Sequence, residues 1–332
     1  MNPTTWSDPL PDAADWFALT ASDRKRQAYA QDLHFRESWA DVVDLFGAER
    51  HAKLGALAMF TFKADGVAGR RLRATMEFFD THGFRVVGVA PFQHNRQSMR
   101  AVWQYDWHMY PVERLLLCSV MHAAAPTLLL LLVDTRYDGV VPGTMRLSEL
   151  KGSNAVAERQ EQHLRTVLAP PHKVINFVHV ADEPADLVRE IGILFERDVR
   201  RILLTQARDH FDDDLADLAE AEIDRLERRC PASDFDIEAA FERLAARGVA
   251  GADLDRLRAA RGAAEKLSWD ELVSVVDPAE PDLVWDFVRI ATEVLPMERP
   301  GFTGTMPAPT SAEWMMRANQ RAVRQPDALV AD

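Results

Sequence analysis

Residues 173–195 (KVINFVHVADEPADLVREIGILF) constrain the fold of this chain more than any other stretch. Val174, Ile175, Phe177 and Val178 make a short apolar run of strand length. His179 stands where that strand is expected to end. Asp182 then offers a helix N-cap, with Glu183 and Pro184 in the first turn. Leu187, Ile191, Leu194 and Phe195 recur at helical spacing, so one stripe of the helix must be buried against a sheet. Glu190 lies beside that stripe, one turn from both Leu187 and Leu194, and can point back toward the strand end. A histidine at a strand end, a helix N-terminus just beyond it and a carboxylate within reach form a layout suited to phosphate chemistry.

The chain before this stretch supplies a sheet for it. Residues 57–63 (LAMFTFK) read as a strand, broken by Ala64-Asp65-Gly66. Leu72, Met76 and Phe79 mark a helix with Arg70, Arg71 and Arg73 on its outer face. Gly83 closes it in a position suited to a left-handed cap. Residues 84–89 and 127–133 are two further strands, the second apolar enough to be buried on both faces. A helix over 111–124 separates them, after an irregular stretch over 94–107. Asp138-Gly139 and Pro142-Gly143 mark turns, and a polar helix is expected over 151–168. Strand, helix, strand, helix, strand, then strand and helix again predicts an α+β domain of ferredoxin-like, split βαβ type.

The two ends read as helical. Residues 22–45 carry Trp39, Val42 and Val43 on one apolar edge, which Phe46 continues. From about residue 197 on, helices are expected over 202–229, 234–247, 253–266, 269–276, 282–295 and 312–323, with a Pro/Gly-rich connector over 300–309. The acidic run at His210-Phe211-Asp212-Asp213-Asp214 reads as a solvated helix face. A net charge of −13 leaves no broad basic footprint, which argues against nucleic acid and anionic membrane as partners. Cys118 and Cys230 make neither a disulfide framework nor a metal cluster. The start of the chain, MNPTTWSDPL, has no secretory pattern, and the apolar run at 128–133 is too short to span a bilayer. The expected compartment is the cytoplasm.

Several of these residues also resemble a known family. Asn176, His179, Asp182 and Glu190, with Ile191 and Phe195 following, resemble the active-site segment of nucleoside diphosphate kinases. Phe62-Lys63-Ala64-Asp65-Gly66-Val67 resembles the family's first-strand Lys-Pro-Asp motif, with Ala64 where the proline stands. Gly83-Phe84-Arg85-Val86-Val87 resembles its second strand, and Pro142-Gly143-Thr144-Met145-Arg146 its Pro-Gly-Thr-Ile-Arg segment. The resemblance implies a nucleoside diphosphate kinase-like domain over 54–197, with an insertion around 147–172. A helical extension over 1–53 precedes it and another over 198–332 follows.

The resemblance implies that His179 takes the terminal phosphate of ATP or another nucleoside triphosphate and passes it on, splitting one transfer into two. Glu190 would orient the imidazole. Lys63 and Arg146 would neutralise phosphate charge. Asn176 would bond the sugar or the leaving oxygen, Tyr105 would lie on the base side, and Mg2+ would bridge phosphates without a dedicated protein metal site. The family's habit also implies a homo-oligomer. Val180-Ala181 replaces the family's Gly-Ser pair, and too few residues precede Pro142 for its nucleotide-clamping helix. Lys151-Gly152-Ser153-Asn154-Ala155-Val156 is similar to the family's His-Gly-Ser-Asp-Ser-Val run, but lacks an apolar strand before it and reads as part of the insertion. These departures point to a specialised small-molecule acceptor. They leave open nucleotide-dependent activation without phosphohistidine, and a non-catalytic sensing or scaffold protein that binds a partner through Trp285, Trp314 and Met315.

Overall fold

Three apolar runs and one short edge segment build a single four-stranded sheet in the computed structural model, which describes residues 9–306 and 308–324. The strands are β1 (Leu57–Phe62), β2 (Phe84–Phe92), β3 (Thr127–Asp134) and β4 (Val178–Val180). Their order is β2-β3-β1-β4, and every neighbouring pair is antiparallel. β1 and β2 therefore run in the same direction with β3 between them. Every residue of β1 and β3 is buried, because both faces of the sheet are covered. The architecture is α+β.

Side-chain alternation divides the core in two. Ala58, Phe60 and Phe62 of β1 and Leu128, Leu130 and Leu132 of β3 face helices Leu72–His82 and Val112–Ala123. The helices that follow residue 216 join this same cluster, through Ile223, Phe241, Leu257, Trp285 and Phe287. Leu57 and Met59 with Leu129, Leu131 and Val133 face the other way. There they meet helices Leu33–Phe46, Pro184–Leu194 and Arg197–Asp209. A bulge between Val86 and Gly88 shifts the register of β2 against β3, so that Val86 stands opposite Leu132 and Gly88 opposite Leu131, with Val87 the extra residue.

Several local readings change in physically informative ways. The expected helix over 22–45 is two, Asp23–Tyr29 and Leu33–Phe46, because Asp32 caps the second by accepting from the amides of His34 and Phe35. The helix over 202–229 is also two, Arg197–Asp209 and Ala216–Arg229. The acidic run between them is no helix face: Asp214 accepts from the amide of Val86, and the Leu215 amide donates to the Val86 carbonyl, so the run satisfies an edge of β2. The polar helix over 151–168 is replaced by Gly143–Lys151 and a short Leu164–Leu168, with irregular chain between. Gly152, at φ +79°, turns the chain out of the first. Gly83 is left-handed at φ 75°, as its position requires. The first eight residues, part of the expected N-terminal extension, lie outside the described residues. No described helix is long and apolar enough to cross a membrane.

One glycine sets the spacing of two layers. A Cβ on Gly192 would lie 2.2 Å from the carbonyl oxygen of His34, on the facing helix. Backbone on both sides leaves nothing flexible to give way. Gly192→Ala should lower stability by about 1–3 kcal/mol, the usual cost of overpacking, read as a lower urea midpoint with unchanged slope. An unchanged midpoint would mean that the helices separate freely.

Candidate active site

The short helix after β1, Ala64–Ala68, fixes the approach to β4. Phe177 sits at φ +69°, a conformation that bulky residues avoid. It is held there by two bonds: its amide donates to Asp65 Oδ2 at 2.8 Å, and its carbonyl accepts from the Lys63 amide at 3.0 Å. Gly66 is the residue that permits this approach, since a Cβ there would come within 2.5 Å of the Phe177 oxygen. The strand therefore begins at Val178, four residues later than the apolar run suggests. His179 stands at its centre, opposite Thr61 of β1.

The helix beyond starts at Pro184, with Glu183 rather than Asp182 as its N-cap. The Glu183 amide donates to Asp186 at 2.9 Å. Asp182 instead accepts from Ser148 Oγ at 2.7 Å. Val178 and Val180 belong to the core on one face of the sheet, so alternation sends His179 to the other, where this helix packs. The buried Glu190 meets it: Nε2–H of His179 donates to Glu190 Oε2 at 2.7 Å. A carboxylate can only accept, so Nε2 carries the hydrogen and Nδ1 keeps its lone pair. The Trp103 ring lies edge-on against the imidazole, 5.0 Å between centroids.

A cleft of about 290 Å³ runs beside β4 and brings together His179, Glu190, Lys63, Asn176 and Tyr105. The buried Lys63 reaches Val174 O at 3.3 Å and stands 3.5 Å from Asp65. Asn176 donates to Asn154 Oδ1 and to the Lys173 carbonyl. Tyr105 packs beside Arg189 and Tyr29. Arg146 is not on the cleft. Its guanidinium grips the buried Asp134 and the His82 carbonyl and lies over Phe84, so it joins the ends of β2 and β3.

Six cations that sequence reasoning did not place in the site line the cleft, Lys25, Arg114, Lys151, Arg165, Lys173 and Arg189. Lys151 stands 3.8 Å from Asp182. Arg165 donates to the carbonyls of Gly152 and Val178, and its buried Nε has no partner among the described residues. Burial lowers the pKa of Lys63 and of Lys151, and burial together with Arg159 holds Arg165 down to about 10. Lys25, also on the cleft, differs. Burial pulls it down, but Asp186, Glu183 and Asp182 outweigh that and raise it. Lys63, Lys151 and Arg165 thus share the cleft with the His179 imidazole and with the carboxylates of Asp106, Asp182, Asp186 and Glu190. The sequence signal for Lys151 and Asn154 was their run's likeness to an active-site segment. The signal for Trp103 was aromatic density, with Tyr105, Trp107 and Tyr110 following it.

No protein-family model matches this sequence, and no curated protein matches it. Among solved structures, a halophilic nucleoside diphosphate kinase from Halobacterium salinarum, in complex with CDP, is similar over 43% of this chain and 88% of its own. The identity is 16% and the TM-score 0.34. An NDP kinase from Pyrobaculum aerophilum is similar over 43% of this chain and 97% of its own, at 13% identity and a TM-score of 0.34.

Proposed function

We propose that this protein moves the terminal phosphoryl group of a nucleoside triphosphate through a phosphohistidine at His179 to a small-molecule acceptor, in a domain of nucleoside diphosphate kinase type. One observation carries the reading. Glu190 occupies Nε2 of His179 and leaves Nδ1 open in a cleft lined by Lys63, Lys151 and Arg165. The strand order and the antiparallel pairing support a ferredoxin-like arrangement for the sheet.

In the first half-reaction the Nδ1 lone pair attacks the terminal phosphorus. The N–P bond forms as the bond to the bridging oxygen breaks, and the diphosphate leaves. In the second, an acceptor oxygen attacks phosphorus and the N–P bond breaks, returning the imidazole. Lys63, Lys151 and Arg165 offset the charge that gathers on the phosphate oxygens. Glu190 holds the ring in one tautomer throughout. Asn176 hydrogen-bonds the leaving oxygen, and Tyr105 lies toward the base. Magnesium would accompany the nucleotide and would supply further charge neutralisation, with no side chain assigned to hold it. No group of three or more His, Cys, Asp or Glu that could hold a metal occurs among the described residues. Arg146, committed to Asp134, takes no part.

The scaffold alternative needs an exposed tail patch. Met315 is 46% exposed, but Trp285 and Trp314 are only 6% and 5% exposed, and the Trp314 indole donates to Glu183 at 3.1 Å, which counts against a patch of all three. The test is single-turnover labelling of the native protein with γ-labelled ATP and magnesium. The expected product is an acid-labile, alkali-stable label that leaves when a panel of nucleoside diphosphates and hydroxyl compounds is added. ATP binding without any label would end the phosphohistidine reading.

A further inference from the structure

Among the described residues, one carboxylate on the cleft is answered by nothing in the protein. Asp182 accepts from Ser148 at 2.7 Å and has Lys151 at 3.8 Å. Asp186 takes Lys25 and the Tyr29 hydroxyl, both at 2.6 Å. Glu190 takes His179. Asp106, which lines the same cleft, has no hydrogen bond or ion pair on its side chain among the described residues. It is half-buried, yet neither of its oxygens is sealed from the cleft. Burial raises its pKa, and the charges of Asp182 and Asp186 add to that, against a weaker pull from His108 and His179. The fold therefore holds this charge partly desolvated and leaves it open to a cation.

Asp106 belongs to the turn that builds the wall beside His179. Its amide donates to the Trp103 carbonyl at 2.9 Å, and the Trp103 ring is the one set against the imidazole. Trp107 and Tyr110 continue that wall along the cleft. The connector before the last helix backs the turn. Thr305 Oγ1 donates to the Tyr105 carbonyl and His108 Nε2 to the Thr303 carbonyl, both at 2.8 Å, and Met306 reaches the cleft. A phosphate is repelled by this carboxylate. An ammonium group suits it, through a charge-assisted hydrogen bond and the aromatic rings alongside. At the other sign, Arg165 is the cleft cation with no carboxylate partner among the described residues; its guanidinium bonds only backbone carbonyls. The two unanswered charges of the cleft are thus opposite, which fits a ligand pair that brings both a phosphate and an amine.

We propose that Asp106 is a specificity-determining residue that binds an ammonium group of the acceptor, so that the small molecule phosphorylated here is a hydroxyl compound bearing an amine. The proposal rests on the phosphoryl-transfer reading above for the word acceptor; the ammonium subsite itself stands on the cleft. In the transfer, the acceptor's hydroxyl oxygen forms the new P–O bond and the N–P bond breaks, its electron pair returning to Nδ1. The hydroxyl proton passes to water.

The experiment titrates the full-length protein with matched probes, followed by ligand-detected NMR at neutral pH and constant ionic strength. The probes are ethanolamine, 3-amino-1-propanol and 4-amino-1-butanol, each against the diol that replaces its ammonium by a hydroxyl. Wild type should bind at least one amino alcohol about 10-fold more tightly than its diol, and protein labelled from γ-labelled ATP should lose its label faster to that amino alcohol than to the diol. Asp106→Asn keeps the shape without the charge and should lose the preference; Asp106→Glu keeps the charge and should retain part of it. Asp106→Asn should melt no lower than wild type, because it removes a charge that no group of the fold answers. Equal affinities in every wild-type pair, or equal removal of label, would overturn the proposal. An undiminished preference in Asp106→Asn would assign the amine to another carboxylate and overturn it equally. Absence of label with the Asp106-dependent preference intact would end the phosphohistidine reading and keep the subsite; label without any preference would do the reverse.

Discussion

His179→Ala should abolish phosphate incorporation from γ-labelled ATP, by ~10⁴-fold or more, because the variant has no atom to carry the phosphoryl group. The loss should not come from unfolding. His179 lies on a three-residue edge strand whose backbone pairing with β1 is untouched by the change. Thermal melting should stay within a few degrees of wild type. Glu190→Gln separates orientation from nucleophilicity. Its amide oxygen still accepts from Nε2–H, so Nδ1 stays open, but the negative charge that favours a cationic, phosphorylated ring is gone. We expect labelling to slow on the order of 10²-fold, with ATP affinity nearly unchanged because Glu190 faces the imidazole. Labelling of His179→Ala at the wild-type rate would move the chemistry elsewhere. Equal rates for Glu190→Gln and wild type would make the 2.7 Å contact a packing feature.

The pairing of His179 with Glu190 was legible because both ends of it are local. An apolar run, a helix stripe and an eleven-residue spacing bring the two side chains to one strand–helix junction. The three long strands were legible for the same reason, each being a bounded apolar run. What escaped was set by partners outside any helix or strand period. Nothing near Phe177 announces a left-handed residue; Asp65, from the short helix after β1, holds it so, and that moves the start of β4. Arg146 sits in a stretch similar to a phosphate-binding segment, yet Asp134, twelve residues earlier, claims its guanidinium. Arg165 reaches the cleft through a segment with little regular structure, pinned by Arg159 to the carbonyls of Ser153 and Asn154. Contacts of this kind, 112 residues apart for Phe177 and Asp65 and twelve for Arg146 and Asp134, follow no helix or strand period, so no apolar pattern announces them.

Asp41→Ala should have the largest effect on stability, about 3–5 kcal/mol, which is the range for breaking a buried ion pair by removing one partner. Asp41 is fully buried on the helix Leu33–Phe46. Three arginines of the helix Arg197–Asp209 converge on it. Arg200 holds it at 2.7 Å, Arg201 at 2.9 Å and Arg197 at 3.3 Å. Arg200 is itself 2% exposed, so loss of the carboxylate strands its charge in the core. Arg201 keeps Asp44, and the side chain of Arg197 is half exposed and can turn to water. The penalty is therefore specific to Arg200, and Asp41→Leu combined with Arg200→Met should recover most of it. Exposed pairs give the contrast. Asp224→Ala, facing Arg73 at the surface, should cost under ~1 kcal/mol. Urea denaturation of the three variants beside wild type decides the matter. A loss below 1 kcal/mol for Asp41→Ala would mean that water reaches Arg200. A full loss should also weaken the site, because the helix that carries Asp41 is the one against which Gly192, two residues past Glu190, is packed.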